Sequence, residues 1–196
     1  MKEQPQPPEV RTLDARSLRG LAHPLRMRLM ASLRLDGPST ASQLAARLGE
    51  SSGSTSYHLR QLATHGFVED DPDHGKGRER WWRSTHQGTH FSETLRHDPD
   101  PVVRGAANLY LHEHAMFHTE ELTTYLGTLN EWSEEWTESA DLSDFTLRLT
   151  PELTAELHQK MHALVESYRE RAVDEDTPGS AQVRLHTHLF PTRPTE

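Results

Sequence analysis

Apolar residues recur at helical spacing along most of this chain, and the positions where the pattern breaks are marked by Gly, Pro and capping residues. The first stretch, Met1–Arg11, is polar and rich in proline, and reads as a disordered tail over residues 1–11. From Asp14, an N-cap residue by type, Leu18, Leu21 and Ala22 mark a helix that stops at His23-Pro24. A second helix opens with Pro24 in its first turn and carries Leu25, Leu29, Met30 and Leu33 on one face, until Asp36-Gly37-Pro38 ends it. Thr40-Ala41-Ser42-Gln43 has the form of a capping box, in which the side chains of Thr40 and Gln43 satisfy each other's backbone donors. Leu44, Ala45 and Leu48 follow, and Gly49 closes this short helix. A fourth helix is predicted from about Ser54 to Thr64 with Thr55, Leu59 and Leu62 inward, closed by Gly66. His58 is expected to be half-buried beside Leu62.

Two short helices joined by a tight turn, the second rich in Ser, Thr, Tyr and Arg on its outer face, make a helix-turn-helix. Phe67–Glu69 and Arg80–Arg83 then read as two strands flanking Asp70–Gly77, whose glycines suit a hairpin tip. Lys76 and Arg78 stand at that tip, where a wing would meet phosphate. Trp81 and Trp82, adjacent on a strand, are expected to face opposite sides.

The second half is patterned differently. Val103, Ala107, Tyr110, His114, Phe117, Leu122, Tyr125, Leu129, Trp132 and Trp136 predict a long helix from Pro101 to about Thr137, with Gly127 marking a kink or break. A stripe of that length needs an equally long partner, and the same helix of a second subunit supplies one. Phe145–Leu149 alternates as a half-buried strand. Thr150 caps a helix beginning at Pro151 and striped with Leu153, Leu157, Met161, Leu164 and Tyr168, and Val183, Leu185, Thr187 and Leu189 alternate again. These strands are expected to pair either in parallel across the helix or with their copies across a dimer. The fold class expected is therefore α+β, mainly α: a winged helix-turn-helix over 12–97, followed over 98–196 by a helix-strand-helix-strand module for dimerisation or effector sensing. The boundary is placed at His97–Pro101, where two prolines and two aspartates disfavour helix.

Charge changes the picture once it is divided there. The 196 residues carry a net charge of -9, which taken whole argues against nucleic acid as a partner. Residues 1–97 hold 14 Lys and Arg against 11 Asp and Glu, a balance of +3, while residues 98–196 hold 7 against 19, a balance of -12. A mildly basic reader joined to an acidic body is a sign of two parts facing different partners. The chain has no cysteine, which removes disulfides, thiolate metal sites and thiol catalysis. No apolar run reaches the roughly 18 residues that cross a bilayer, and the first ten residues lack the core of a signal peptide. A cytoplasmic protein with no membrane partner is the expectation.

Leu21-Ala22-His23-Pro24-Leu25-Arg26, then Ser56-Tyr57-His58-Leu59-Arg60-Gln61-Leu62 and Gly66-Phe67-Val68, resemble the winged-helix repressors of the arsenical-resistance (ArsR) family. The segment Gly75–Arg83 is similar to members common in actinobacteria, and the resemblance covers about Leu13–Thr85. It implies a homodimeric bacterial transcriptional regulator, usually a repressor released by an effector, on a palindromic double-stranded operator.

The residues expected to meet DNA are Ser39, Thr40, Ser52, Ser54, Ser56, Tyr57, Arg60, Gln61, Lys76 and Arg78. Leu18, Tyr110, His114, Phe117, Tyr125 and Trp132 are the residues expected at the dimer interface. Fourteen histidines raise the question of a metal, and His114 and His118, one helical turn apart, are the candidate pair. His-x-His and His-x-x-Glu pieces similar to those of the family's metal sensors occur here at His112–Glu121, but only three residues separate them, where the family has about ten. His158 and His162, and His186 and His188, are further pairs for which solvated surface is the simpler reading. No cofactor is expected. His112-Glu113-His114-Ala115-Met116 begins like a zinc-protease motif, but Met116 stands where the second His is needed, so catalysis is not expected. The alternative reading makes the second half a small-molecule or metal receptor, with Tyr110, Phe117, Tyr125, Trp132 and Trp136 lining an apolar pocket rather than packing as core.

Overall fold

The structure is a computed structural model that describes residues 10–72, 74, 79–174 and 176–192. Its packing divides the chain into two units, Met1–Gly127 and Thr128–Glu196.

The helices of the first unit start where the capping residues put them. Helix α1, Ala15–Leu21, is opened by Asp14, whose carboxylate accepts the Ser17 N–H at 2.7 Å while the Ser17 hydroxyl accepts the Asp14 N–H at 2.9 Å. The Ser17 hydroxyl also donates to the Asp14 carboxylate at 2.6 Å, and this bond, together with that from the Ser17 N–H, holds the Asp14 carboxyl below the usual carboxylate range. Helix α2, Pro24–Leu35, follows with His23 as its N-cap. In helix α3, Ala41–Leu48, the box is closed on both sides: the Gln43 N–H donates to Thr40 Oγ1 at 3.2 Å and the Thr40 N–H to Gln43 Oε1 at 2.8 Å. Gly49 ends α3 in the left-handed region, at φ 68°, where a Cβ would be strained. Helix α4, Ser52–Thr64, begins two residues earlier than the apolar pattern predicts, because the Ser51 hydroxyl caps it by accepting the Ser54 N–H at 3.2 Å.

Five short strands among the described residues complete this unit. Strands β2 (Ser39–Thr40), β3 (Val68–Asp70) and β4 (Trp81–Ser84) form an antiparallel sheet in the order β2-β4-β3, with Val68 opposite Ser84 and Asp70 opposite Trp82. Strand β1, Val10–Thr12, runs parallel to β5, Gly88–His90. The last residues of the expected tail are thus ordered. Arg11 fastens them, its guanidinium donating to the carbonyls of His65 at 2.7 Å and Gly66 at 2.9 Å and lying 4.4 Å over the Phe67 ring. Residues 1–9 of that tail lie outside the described residues.

The core joins Leu18, Leu29, Leu44, Leu59, Leu62, Phe67 and Trp82 to Leu95, Val103, Ala107 and Tyr110. Each full burial of a Leu or Phe contributes about 1.5–3 kcal/mol. The last three of these belong to helix α5, Pro101–Gly127, which packs on α1 and α2. The division at His97–Pro101 is therefore corrected: a 3-10 turn, Glu93–His97, leads straight into α5, and the unit ends at Gly127. A proline-rich turn bends the chain there without ending the core, since the first half of α5 presents buried residues every third or fourth position.

In the second unit, α5 does not continue to Thr137. Past Gly127 come a 3-10 turn, Leu129–Glu131, helix α6, Glu134–Ser139, and helix α7, Pro151–Arg169, capped by Thr150 as the sequence predicts. The two strands expected at 145–149 and 183–189 do not form, so the mainly α, small-sheet class stands while the helix-strand-helix-strand order does not. Alternation alone does not make a strand, which needs a neighbour to hydrogen-bond. Phe145 is 83% exposed, and no described residue of this unit is buried.

Candidate nucleic-acid interface

Helix α4 presents two different faces. Thr55, Leu59 and Leu62 are each fully buried, and this anchors the helix through α3, α2 and β3. The opposite side carries Ser52, Tyr57 and Arg60 exposed and Ser54, Ser56 and Gln61 half-buried. These six hydroxyl, phenol, amide and guanidinium groups offer donors and acceptors of the kind that read base edges and phosphates. Tyr57 is 53% exposed, an expensive place for an aromatic ring unless something covers it.

Beside this face lies a cleft of about 250 Å³, lined by Thr40, Ala41 and Ser42 at the start of α3, Ser56 and Arg60 of α4, and Glu79, Arg80 and Trp82 at the base of the hairpin. The cleft places two guanidinium groups next to the N-terminal turn of α3, whose dipole favours an anion. Arg80 lies 4.0 Å over the Trp82 ring and pairs with Asp70 at 3.1 Å, so it is held in place rather than swinging free. Glu79 accepts from the Ser42 hydroxyl at 3.5 Å and is the one carboxylate of the lining. The spacing of α3, α4 and the hairpin is that of a winged helix-turn-helix.

The expected DNA-contacting residues divide on this geometry. Ser52, Ser54, Ser56, Tyr57, Arg60 and Gln61 come together on α4. Ser39 and Thr40 are buried, at 3% and 2% exposure; the Thr40 hydroxyl accepts the Gln43 N–H of the α3 cap and Ser39 donates to the Gly37 carbonyl at 3.4 Å, so burial and local bonds hold both back from the exposed face of α4. Lys76 and Arg78 lie outside the described residues. Arg80 and Ser42 were missed by the sequence reading. The signal for Arg80 was its place immediately before the paired tryptophans, at the strand start nearest the helix.

The expected dimer residues divide as well. Leu18 of α1 is fully buried in the core, and Tyr110 is 5% exposed, stacked on Phe91 with ring centroids 5.5 Å apart, so both are taken up inside one chain and offer nothing to a second. His114 and Trp132 are exposed, and Phe117 and Tyr125 half-buried. Of the metal candidates, His114 and His118 have ring centroids 4.3 Å apart, and so do His158 and His162. Among the described residues no group of three or more His, Asp or Glu side chains is placed to hold a metal ion. Trp82 enters the core while Trp81 stays half-buried against His74, at 5.4 Å, which realises the opposed faces read from the sequence.

A family model described as a helix-turn-helix domain matches residues 21–71, which span α2, α3, α4 and β3. No curated protein matches the sequence. The chain is similar to solved structures of ZitR from Lactococcus lactis, in a mutant apo form (20% identity, 74% of this chain and 83% of that one, TM-score 0.29) and in complex with DNA (17%, 86% and 80%, TM-score 0.28). It is also similar to the adhesin competence repressor AdcR from Streptococcus pyogenes (16% identity, 78% and 79%, TM-score 0.30). Residues 21–71 thus match a helix-turn-helix domain, and the antiparallel pair β3–β4 that follows α4 gives it the form of a winged helix-turn-helix. No helix among its described residues is long and apolar enough to cross a membrane.

Proposed function

We propose that this protein is a sequence-specific repressor of the arsenical-resistance type that binds a palindromic operator as a homodimer. The observation that carries the reading is the two-faced α4, buried through Thr55, Leu59 and Leu62 and lined outward with Ser56, Tyr57, Arg60 and Gln61 beside a cleft holding Arg80. In this reading α4 enters the major groove, Arg60 and Arg80 flank a backbone phosphate, and Lys76 and Arg78 supply two more cations for the backbone. A balance of only +3 in the first 97 residues makes two copies on one duplex necessary for useful affinity. The surface proposed for pairing is the outer side of α5, where Val102, Leu109 and Met116 recur every seven residues, all exposed.

Two measurements test this. Binding to the DNA upstream of its own gene should weaken with salt at a slope of about -0.9 per phosphate neutralised. Arg60→Ala combined with Lys76→Ala should abolish binding while sedimentation still shows a dimer. Unchanged affinity in that double variant sinks the interface, and a monomer at micromolar concentration sinks the dimer. An effector, if one releases the repressor, is assigned to the C-terminal half, where apolar side chains are exposed. Native mass spectrometry of the purified protein would show it as added mass.

A further inference from the structure

His23 and His58 meet where α2 begins and α4 passes beneath it, with ring centroids 4.3 Å apart and planes tilted by 38°. Their chemistry there depends on both rings being neutral. His23 Nδ1 accepts the Leu25 N–H at 3.2 Å as the N-cap of α2, which only an unprotonated nitrogen can do. Protonation would remove that acceptor and put a cation at the positive end of the helix dipole. His58 Nδ1 is buried with no hydrogen-bond partner, and its ring meets the edge of Tyr57 at 5.1 Å.

The surroundings decide which charge state is favoured. Facing the pair are Arg26 from α2, with its own Nε buried and unpartnered, Glu50 from the turn between α3 and α4, and, toward His23, Glu113 from α5. Glu50 already serves Arg28, at 3.7 Å. For His23, burial and then Arg26 hold the imidazole below its ordinary range, against the pull of the two carboxylates. For His58, burial comes first, then His23 and Arg26. A proton on either ring opposes a proton on the other, so the two titrate as a unit.

We propose that His23 and His58 form a proton-sensitive latch between α2 and the DNA-facing helix α4, and that acidification opens it and releases the protein from DNA. The release rests on the DNA reading above; the latch itself does not. Its sign is distinctive. The chain has 14 histidines, and protonating them makes it more cationic, which by charge alone strengthens binding to a polyanion. A loss of affinity in acid must therefore come from structure.

The test uses the full-length protein and a duplex it enriches from a random-sequence pool at about pH 8, with affinity read by fluorescence anisotropy at fixed ionic strength. Affinity should fall about tenfold or more from about pH 7.5 to about pH 5.5, the range in which imidazoles titrate. The double variant His23→Asn with His58→Gln should lose no affinity in acid, its profile staying level or rising as the other twelve histidines charge, since Asn retains an N-cap acceptor. Parallel profiles in both proteins, or affinity that rises in acid for the native chain, overturn the proposal. A nuclear magnetic resonance titration of the native chain decides the matter even if the variant does not fold. Both ring Cε1 signals should titrate below the ordinary imidazole value, and either one titrating at or above it overturns the latch. If no duplex is enriched at pH 8, the DNA reading and the release fail together, while the same titration still judges the latch.

Discussion

The N-terminal unit buries Leu18, Leu29, Leu44, Leu59 and Leu62 completely, whereas between residues 128 and 192 no described side chain is buried. Both stretches are patterned. The stripe of α7, Leu153, Leu157, Met161, Leu164 and Tyr168, is as regular as that of α2, yet Leu164 is 61% exposed and Tyr168 60%. The difference teaches that periodicity names the face that has to be covered and says nothing of what covers it. In the first unit the chain supplies the cover itself, through α5. In the second, where residues 128–196 hold 6 Lys and Arg against 14 Asp and Glu, the apolar faces are framed by repelling carboxylates and lack a partner in their own unit.

The sharpest way to break this comparison is to truncate one leucine in each unit. Leu59→Ala on α4 should cost about 2–5 kcal/mol, the transfer of its methyl groups plus the cavity left behind. Leu164→Ala on α7 should change stability by no more than about 0.5 kcal/mol in dilute protein, as for an exposed position. Amide exchange of the two helices reads each effect separately. A loss above about 1 kcal/mol at Leu164 in monomeric protein would mean that α7 has a cover after all.

Next in size is Gly20 on α1, whose position against the α4 end is set by contact distance. A Cβ built there would lie 2.3 Å from the His65 ring. Gly20→Ala should therefore force the ring aside and destabilise the unit by about 1–3 kcal/mol, seen as a lowered thermal midpoint. Gly105 and Gly127 have open space at the same test, and alanine at either should be tolerated.

That contact also shows where the sequence stops being legible. The caps at Asp14, Thr40 and Thr150, the inward residues of α4 and the hairpin before Trp81 were all readable, because each is decided within four residues or by a two- or 3.6-residue period. Gly20 against His65, His23 against His58, and β1 beside β5 join residues 35 to 78 positions apart, and no local rule reports them. The outward side of α4 was legible for the same reason as the caps: the buried set Thr55, Leu59 and Leu62 fixes which side faces out. Arg80 was not, because its role comes from the Trp82 ring beneath it and from Asp70 across the hairpin. The strands at 145–149 and 183–189 failed for the opposite reason, since their alternation is real and the neighbour is missing.

Acid should also separate the two units. His23, His58 and His65 are all held below the ordinary imidazole value, with burial the first cause for each. The folded state thus binds fewer protons than the unfolded chain. Stability from these groups is complete above about pH 6.5 and is lost as the pH falls through that value toward the lower folded-state ones. Urea midpoints for the N-terminal unit should fall between about pH 7.5 and pH 5.5. A midpoint that rises over this interval would show that the three imidazoles gain partners on folding.

The smallest expected effect makes the cleanest comparison, because the two units use the same device. Thr40 accepts the Gln43 N–H at 3.2 Å and Thr150 the Leu153 N–H at 3.3 Å, each as the N-cap of its helix. Thr40 is 2% exposed and its box is closed by Gln43, so Thr40→Ala removes a buried cap acceptor and breaks the box, and should cost about 1–2 kcal/mol. Thr150 is exposed, and water replaces its hydroxyl when it is removed, so Thr150→Ala should cost about 0.5 kcal/mol. Equal losses at the two caps would mean that α7 is buried in the protein as it exists in solution. The cap bonds are matched in length, so burial and the closing bond from Gln43 are what separate the two.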